Sequence, residues 1–161
     1  MAMLQTALAL DQGFGTPKDT ARALHLYRQA GDHRVSDGYA WLADFYLKGE
    51  FVAQNYDSAF ALVDRAYRLG GDNQIATIAM ANMHLHGIGT SVDTAAAIPY
   101  LQEAARLGHG MSLGHLGDCY NVGLMYHTGE GVKKNKKEAK RWLTLAADNG
   151  HPAAADLLKT L

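Results

Sequence analysis

Eight histidines and one cysteine are the first residues of this 161-residue chain to consider for metal binding or nucleophilic catalysis. Their spacing favours neither chemistry. His84 and His86 are two residues apart, which places them on different faces of a helix. No histidine pair has the i, i+4 spacing of a zinc protease. Cys119 lies among apolar residues, where a lone cysteine behaves as a small hydrophobic side chain. We therefore expect no metal site and no cofactor.

Three short glycine-rich segments could be mistaken for phosphate-binding loops. They read "GFG" at 13–15, "GIG" at 87–89 and "GEG" at 129–131. Each follows a helical pattern rather than a strand, and no Lys-Ser or Lys-Thr pair completes a P-loop after any of them. Carboxylates for acid–base catalysis are not paired on any one predicted face. We therefore predict that the chain is not an enzyme.

The glycines instead mark an internal repeat, with offsets of 36, 38 and 42 residues between successive loops. A period in this range is typical of a solenoid of stacked helix pairs, an architecture that usually binds rather than catalyses. The equivalent positions are Gly13, Gly49, Gly87 and Gly129 at the loop start, Asp19, Asn55, Asp93 and Asn135 six residues later, and the alanine pairs Ala23 and Ala30, Ala59 and Ala66, Ala97 and Ala104, Ala139 and Ala146.

Each repeat reads as two helices. In the second repeat, the first helix is expected from Asp37 to Lys48 and to end at Gly49, because glycine adopts the left-handed conformation of a helix C-cap without strain. The second helix is expected to begin at Asn55, whose side chain can accept a hydrogen bond from a free N–H group of the first turn. The same two signals recur in the other three repeats.

The fourth repeat carries an irregularity. Gly129 follows Tyr120 by nine residues, whereas Gly49 follows Tyr46 by three. Six additional residues rotate a helix by roughly 600°, so a continuous helix cannot keep Tyr120 and Tyr126 on one face. Either the helix is longer than its counterparts or a bulge absorbs the excess. In the third repeat, Pro99 falls about one turn into a helix and predicts a mild bend rather than a break.

The second and fourth repeats carry a family resemblance. The segments "ALADFYLKGE…NYDSAFALVDRAYRLGG" and "VGLMYHTGEGVKKNKKEAKRWLTLAADNGHPAAADLL" resemble Sel1-like repeats. The first repeat departs from that pattern with Leu10 at the tyrosine position and Arg34 at the terminal glycine, and the second has Phe51 at the second loop glycine. The fourth repeat matches at Tyr126, Gly129, Gly131, Val132, Ala139, Trp142, Ala146, Ala147 and Gly150.

This resemblance implies an all-α fold, a right-handed α/α superhelix (solenoid) related to tetratricopeptide arrays. It implies a single array of about four helix-turn-helix repeats followed by a C-terminal half repeat. The boundaries are expected near 1–34, 35–72, 73–109 and 110–151, with the half repeat at 152–161. The resemblance also implies a role as an adaptor that binds another protein or a peptide segment.

Composition excludes some classes of partner and predicts the cellular compartment. The formal net charge is −1, which argues against a dedicated nucleic-acid binder. The single cysteine excludes an internal disulfide framework and separates the chain from the cysteine-rich branch of the family. No apolar run is as long as a membrane span. The opening "MAMLQTALAL" lacks the basic start of a signal peptide, so we expect a cytoplasmic protein by default, with a signal peptide removed before Met1 left open.

One candidate binding surface follows from the resemblance, which implies that the first helices line a concave groove. Trp41, Asp44 and Lys48 follow one another at i, i+3 and i+7 and form a single line along the helix. Tryptophan often dominates binding energy, so Trp41 is the expected anchor; the alternative is that it packs between neighbouring first helices. The first-helix stripe, as we name it, comprises Trp41, Asp44, Lys48, Asn82, His86, His115 and Asp118.

A second candidate surface is basic. It spans the last inter-helix loop and the start of the following helix, and either keeps a terminal repeat soluble or docks an acidic partner or an anionic membrane surface. We name it the basic strip; it comprises Lys133, Lys134, Lys136, Lys137 and Lys140, continued by Arg141.

The sequence therefore predicts a non-catalytic scaffold that binds a partner protein or peptide in its groove. Two alternatives stay open at this point. The first is an inhibitor or immunity-type protein that blocks one partner enzyme. The second is a small envelope-associated hydrolase. The sequence predicts neither the identity of the partner nor the oligomeric state.

Overall fold

The computed structural model describes residues 2–70, 73–106 and 113–161, except for the side chains at 102, 105, 106, 113–116 and 118. These residues form helices and no strand, which confirms the all-α prediction. The helices are α1 (Ala2–Gln12), α2 (Thr20–Asp32), α3 (Ser36–Lys48), α4 (Tyr56–Arg68), α5 (Gln74–His86), α6 (Thr94–Arg106), α7 (Leu113–Thr128), α8 (Lys136–Asp148) and α9 (Pro152–Leu158).

The helices fall into two compact units, Met1–Val92 and Asp93–Leu161. In the first unit each helix packs against the next along the chain, and α3 also contacts α5. In the second unit α7 packs against α6 and α8, and α8 packs against α9. Packing between helices that follow one another is the arrangement expected of stacked helix pairs.

The predicted helix starts are confirmed by hydrogen bonds at all four positions. In each case the side-chain oxygen of the cap residue accepts from a backbone N–H of the first turn, which satisfies a donor that has no partner within the helix. The bonds are Arg22 N to Asp19 (3.0 Å), Ser58 N to Asn55 (2.8 Å), Ala96 N to Asp93 (2.9 Å), and Lys137 N and Glu138 N to Asn135 (3.1 and 3.2 Å).

The predicted left-handed loop starts are also confirmed. Gly13, Gly49, Gly87 and Gly129 have φ angles of 73°, 73°, 68° and 83°. Phe51, which stands where the family has a second loop glycine, keeps the glycine conformation with φ 62°. A side chain in this conformation costs roughly 1–2 kcal/mol, so the geometry of the repeat overrides the local preference of phenylalanine.

The core of the first unit is built around Tyr27 on α2. Its side chain is fully buried, and its ring lies 6.2 Å from the ring of Trp41 and 6.1 Å from that of Phe45. The α2 and α3 backbones approach each other closely at Gly38. A Cβ atom there would lie 2.5 Å from the Tyr27 carbonyl oxygen and 2.6 Å from the Gly31 nitrogen. The second repeat therefore requires glycine where the first and third have Ala2 and Ala76.

The core of the second unit is built around α7 and α8, with Val122, Trp142 and Leu143 all buried. Residues 113–128 form one continuous helix of 16 residues, whereas α3 and α5 have 13 residues each, so part of the insertion in the fourth repeat lengthens α7. Tyr120 then serves a separate packing role, since its ring stacks on His151 at a centroid distance of 4.5 Å. Helix α6 continues through Pro99 without a break, and the mild bend stays a prediction.

Candidate binding surfaces

The first-helix stripe is centred on Trp41 of α3. The indole is partly buried and stacks on Tyr27, with an angle of 20° between the two rings. Tyr27 is fully buried, so one face of the indole is held by the core while part of the ring stays accessible to solvent. The packing role and the binding role that the sequence left open are therefore compatible in one side chain.

The two charged members of the stripe on α3 bind each other. Lys48 Nζ lies 2.6 Å from Asp44 Oδ2, an i, i+4 ion pair on the helix surface. The hydrogen bond to Asp44 raises the pKa of Lys48, which keeps the amine charged. Because the two charges offset each other, the indole is the principal apolar group that α3 presents along this line.

The third repeat contributes Asn82 and His86 from α5, the helix that contacts α3 within the same unit. Asn82 is partly buried, and its Oδ1 atom accepts no hydrogen bond from any residue that the structure describes. His86 is exposed at the end of the helix. The stripe positions of the second and third repeats therefore lie on two helices in contact.

The remaining stripe positions lie elsewhere. His115 and Asp118 fall on α7 in the second unit, and their side chains lie outside the described residues. Their place in the stripe stays a prediction. In the first repeat, the equivalent positions Gln5, Leu8 and Gln12 are exposed on α1.

The basic strip is exposed at all five of its lysines. Lys133 and Lys134 lie in the 129–135 loop, and Lys136, Lys137 and Lys140 lie on α8. No ion pair involves these lysines among the residues described, while Arg141 at the end of the strip lies 3.7 Å from the carboxylate of Glu138. Their charges are therefore available to an anionic ligand.

Two lysines of the strip occupy positions that weaken α8. Lys136 and Lys137 are in its first turn, where the positive end of the helix dipole favours Asp and Glu. Lys136 is four residues from Lys140 and Lys137 is four residues from Arg141, so each faces a like charge on the helix surface. These lysines do not help α8 to fold, which leaves solubility or binding as their role.

A cavity that the sequence did not predict lies beside the basic strip. Its volume is about 600 Å³. Tyr126 on its wall has a pKa raised above its usual value by burial and by the nearby Glu138 carboxylate, which keeps the phenol neutral. The only signal in the sequence was the run of lysines. We name this cavity the loop cleft; it is lined by Ala95, Ile98, Pro99, Tyr126, Gly131, Val132, Lys133, Lys134 and Asn135.

Metal-binding clusters and membrane-spanning helices are both absent from the residues that the structure describes. Among the described residues, no group of three or more His, Cys, Asp or Glu side chains is arranged to hold a metal ion. Cys119 is buried at 1% exposure on α7. No described helix combines the length and the apolar character that a bilayer crossing requires.

Similar structures and sequences support the helix-pair architecture. A Sel1 repeat protein from Oxalobacter formigenes superposes with a TM-score of 0.81 at 24% identity, covering 98% of this chain and 61% of that one. The antigen c5321 of uropathogenic Escherichia coli, which displays an SLR fold, superposes with a TM-score of 0.79 at 24% identity. The match covers 98% of this chain and 32% of that one. These similarities confirm the solenoid fold.

A curated relative is an exopolysaccharide production negative regulator of Rhizobium leguminosarum bv. viciae. It is 29% identical over 145 residues, which are 82% of this chain and 52% of the relative. This chain therefore spans about half the length of that regulator. The Sel1 repeat model matches residues 1–34, 36–71, 74–109 and 118–151. Repeats of this kind typically mediate protein–protein interaction on non-catalytic scaffolds. Since these matches cover most of the sequence, the chain belongs to the Sel1 repeat family.

Proposed function

We propose that this chain is a non-catalytic protein-binding module that holds a segment of a partner protein against the first helices of its repeats. The observation that carries the proposal is the stacking of Trp41 on the buried ring of Tyr27. A tryptophan that is fixed by stacking and still partly exposed loses little conformational freedom when it binds, and tryptophans are frequent interface hot spots.

The surroundings of Trp41 suit a peptide better than a small molecule. The Asp44–Lys48 pair beside it offers both a donor and an acceptor. Such groups favour an extended segment whose main chain is polar and whose side chains are apolar.

The experiment compares Trp41→Ala with a matched aromatic control, Tyr56→Ala. Tyr56 is exposed at 47% at the start of α4, outside the first helices. Each variant is immobilised and used to capture partners from native lysate, and its thermal unfolding is measured in parallel. Loss of a hot spot costs at least about 2 kcal/mol, or roughly thirtyfold in affinity, so Trp41→Ala should lose the captured partner while Tyr56→Ala keeps it.

Two results would contradict the proposal. If Trp41→Ala retains the partner but loses about 3–5 kcal/mol of stability, the indole is a packing residue only. If Lys136→Glu with Lys137→Glu loses the partner while Trp41→Ala keeps it, the basic strip is the docking surface.

Turnover by the purified chain, abolished by changing one titratable residue of the stripe, would favour the hydrolase alternative. A captured enzyme that is inactive in the complex would favour the inhibitor alternative.

A further inference from the structure

The loop between α7 and α8 has the same backbone as its counterparts but a different charge. Asn135 N donates to Tyr126 O at 2.9 Å, as Asn55 N donates to Tyr46 O at 3.0 Å in the second repeat. Both loops begin with a left-handed glycine. The loops at 13–19, 49–55 and 87–93 contain one lysine between them, whereas 129–135 contains two in succession. The loop geometry therefore does not require these lysines.

The basic charge is concentrated in one segment. Residues 129–141 contain six basic and two acidic residues, a net charge of +4. The whole chain has a net charge of −1, so the other residues together carry −5. Two of these lysines also oppose the dipole of α8, as described above. A positive segment in an otherwise negative chain fits an anionic partner.

The loop cleft adds an apolar surface to this charge. Ile98 and Pro99 from α6 and Val132 from the loop line it together with Lys133 and Lys134. Its volume of about 600 Å³ is within the range of about 300–1,000 Å³ typical of ligand pockets. The loop is closed by the hydrogen bonds at Gly129 and Asn135, so the two lysines extend from a fixed backbone.

We propose that the loop cleft binds an acidic peptide segment that carries one large apolar or aromatic side chain. The apolar side chain enters the cleft against Ile98 and Val132, and the flanking carboxylates contact Lys133 and Lys134. A membrane surface fits less well, because its binding requires apolar side chains that protrude, whereas these line a concavity. The site shares no residue with the first-helix stripe, so it can fail while the proposed function holds.

The test uses three fluorescein-labelled peptides and fluorescence anisotropy. The first has one tryptophan flanked on each side by three glutamates, the second has alanine in place of tryptophan, and the third has lysines in place of the glutamates. We expect the tryptophan peptide to bind at least about tenfold more tightly than the alanine peptide, since it buries a large apolar side chain. We expect no binding of the lysine peptide. We expect the tryptophan peptide to bind more weakly as salt is added.

Two single charge reversals separate a built site from a diffuse basic surface. Lys133→Glu acts within the loop cleft, whereas Lys140→Glu makes the same change of charge on the same strip outside it. Lys133→Glu should lower the affinity for the tryptophan peptide at least about tenfold, and Lys140→Glu should lower it about threefold or less. Val132→Asn should reduce the preference for tryptophan over alanine. Circular dichroism of each variant checks that the fold is retained.

Four outcomes would overturn the proposal. The first is equal affinity for the tryptophan and alanine peptides. The second is an equal loss of affinity for the tryptophan peptide in Lys133→Glu and Lys140→Glu. The third is binding to phosphatidylcholine vesicles containing phosphatidylserine, lost in Lys133→Glu, without binding of the peptide. The fourth is self-association in sedimentation, lost in Lys133→Glu, without binding of the peptide, which would make a second copy of the chain the occupant.

Discussion

Replacing the two lysines in the first turn of α8 by glutamate should stabilise the protein. In Lys136→Glu with Lys137→Glu, two cations leave the positive end of the helix dipole and two anions take their places. The same change converts the like-charge pairs with Lys140 and Arg141 into i, i+4 pairs with glutamate on the N-terminal side, the better orientation.

The magnitude follows from the exposure of these side chains, which places each effect at the low end of its range. Each of the four changes at the helix end contributes about 0.3 kcal/mol. Each of the four changes in side-chain pairing contributes about 0.2 kcal/mol. We therefore expect the free energy of unfolding to rise by about 2 kcal/mol at low ionic strength, and by less at physiological ionic strength because salt screens exposed charges.

The assay is urea denaturation followed by circular dichroism at low and high ionic strength. The control variant with glutamine at both positions should give about half of the gain, because it removes the unfavourable charges without adding favourable ones. Lys133→Gln lies outside the helix and should change the free energy of unfolding little. A gain that persists undiminished at high salt, or a double variant no more stable than the original chain, would refute the electrostatic reasoning.

Two other predictions concern the core of the first unit. The Tyr27 hydroxyl is buried with no hydrogen-bond partner among the described residues, so Tyr27→Phe should raise the free energy of unfolding by about 1 kcal/mol. Burial and Asp11 raise the pKa of Tyr27 from 10.0 to about 12. The unfolded state then loses its proton first, so stability falls as pH rises between these values, and urea denaturation should show a smaller fall in Tyr27→Phe. Gly38→Ala should lower the melting temperature, at a cost of about 1–3 kcal/mol, because its methyl group meets the α2 backbone. Gly117→Ala, at a helical position with no described atom within 4 Å, should raise it. Equal shifts for the two alanine variants would contradict the close approach of α2 and α3.

Much of the local structure could be predicted from the sequence, because it depends on interactions within one turn of chain. Asn55 caps α4 by a hydrogen bond to a residue three positions away. Gly49 ends α3 because of its own φ angle. Such features recur at one offset in every repeat, so four weak local signals support one another. The all-α solenoid followed from the same recurrence.

The candidate sites depended on contacts that no local pattern contains. The sequence left open whether Trp41 packs between helices or binds a partner. The position of the Tyr27 ring beneath it allows both. The loop cleft could not be predicted, since it joins Ile98 on α6 with Val132, thirty-four residues later in the chain. The insertion in the fourth repeat had two local solutions, and the structure has the continuous helix.

The sequence by itself determined where the first helix of each repeat ends and the second begins, since left-handed glycines and capping bonds depend only on a few neighbouring residues. Only the tertiary structure decided which side chains share a surface. Gly38 shows the physical reason: its repeat position tolerates alanine elsewhere, yet here the α2 backbone occupies the space that a methyl group would fill. Close packing depends on the distance between two helices, which is set by every side chain along their contact and not by any one position in the repeat.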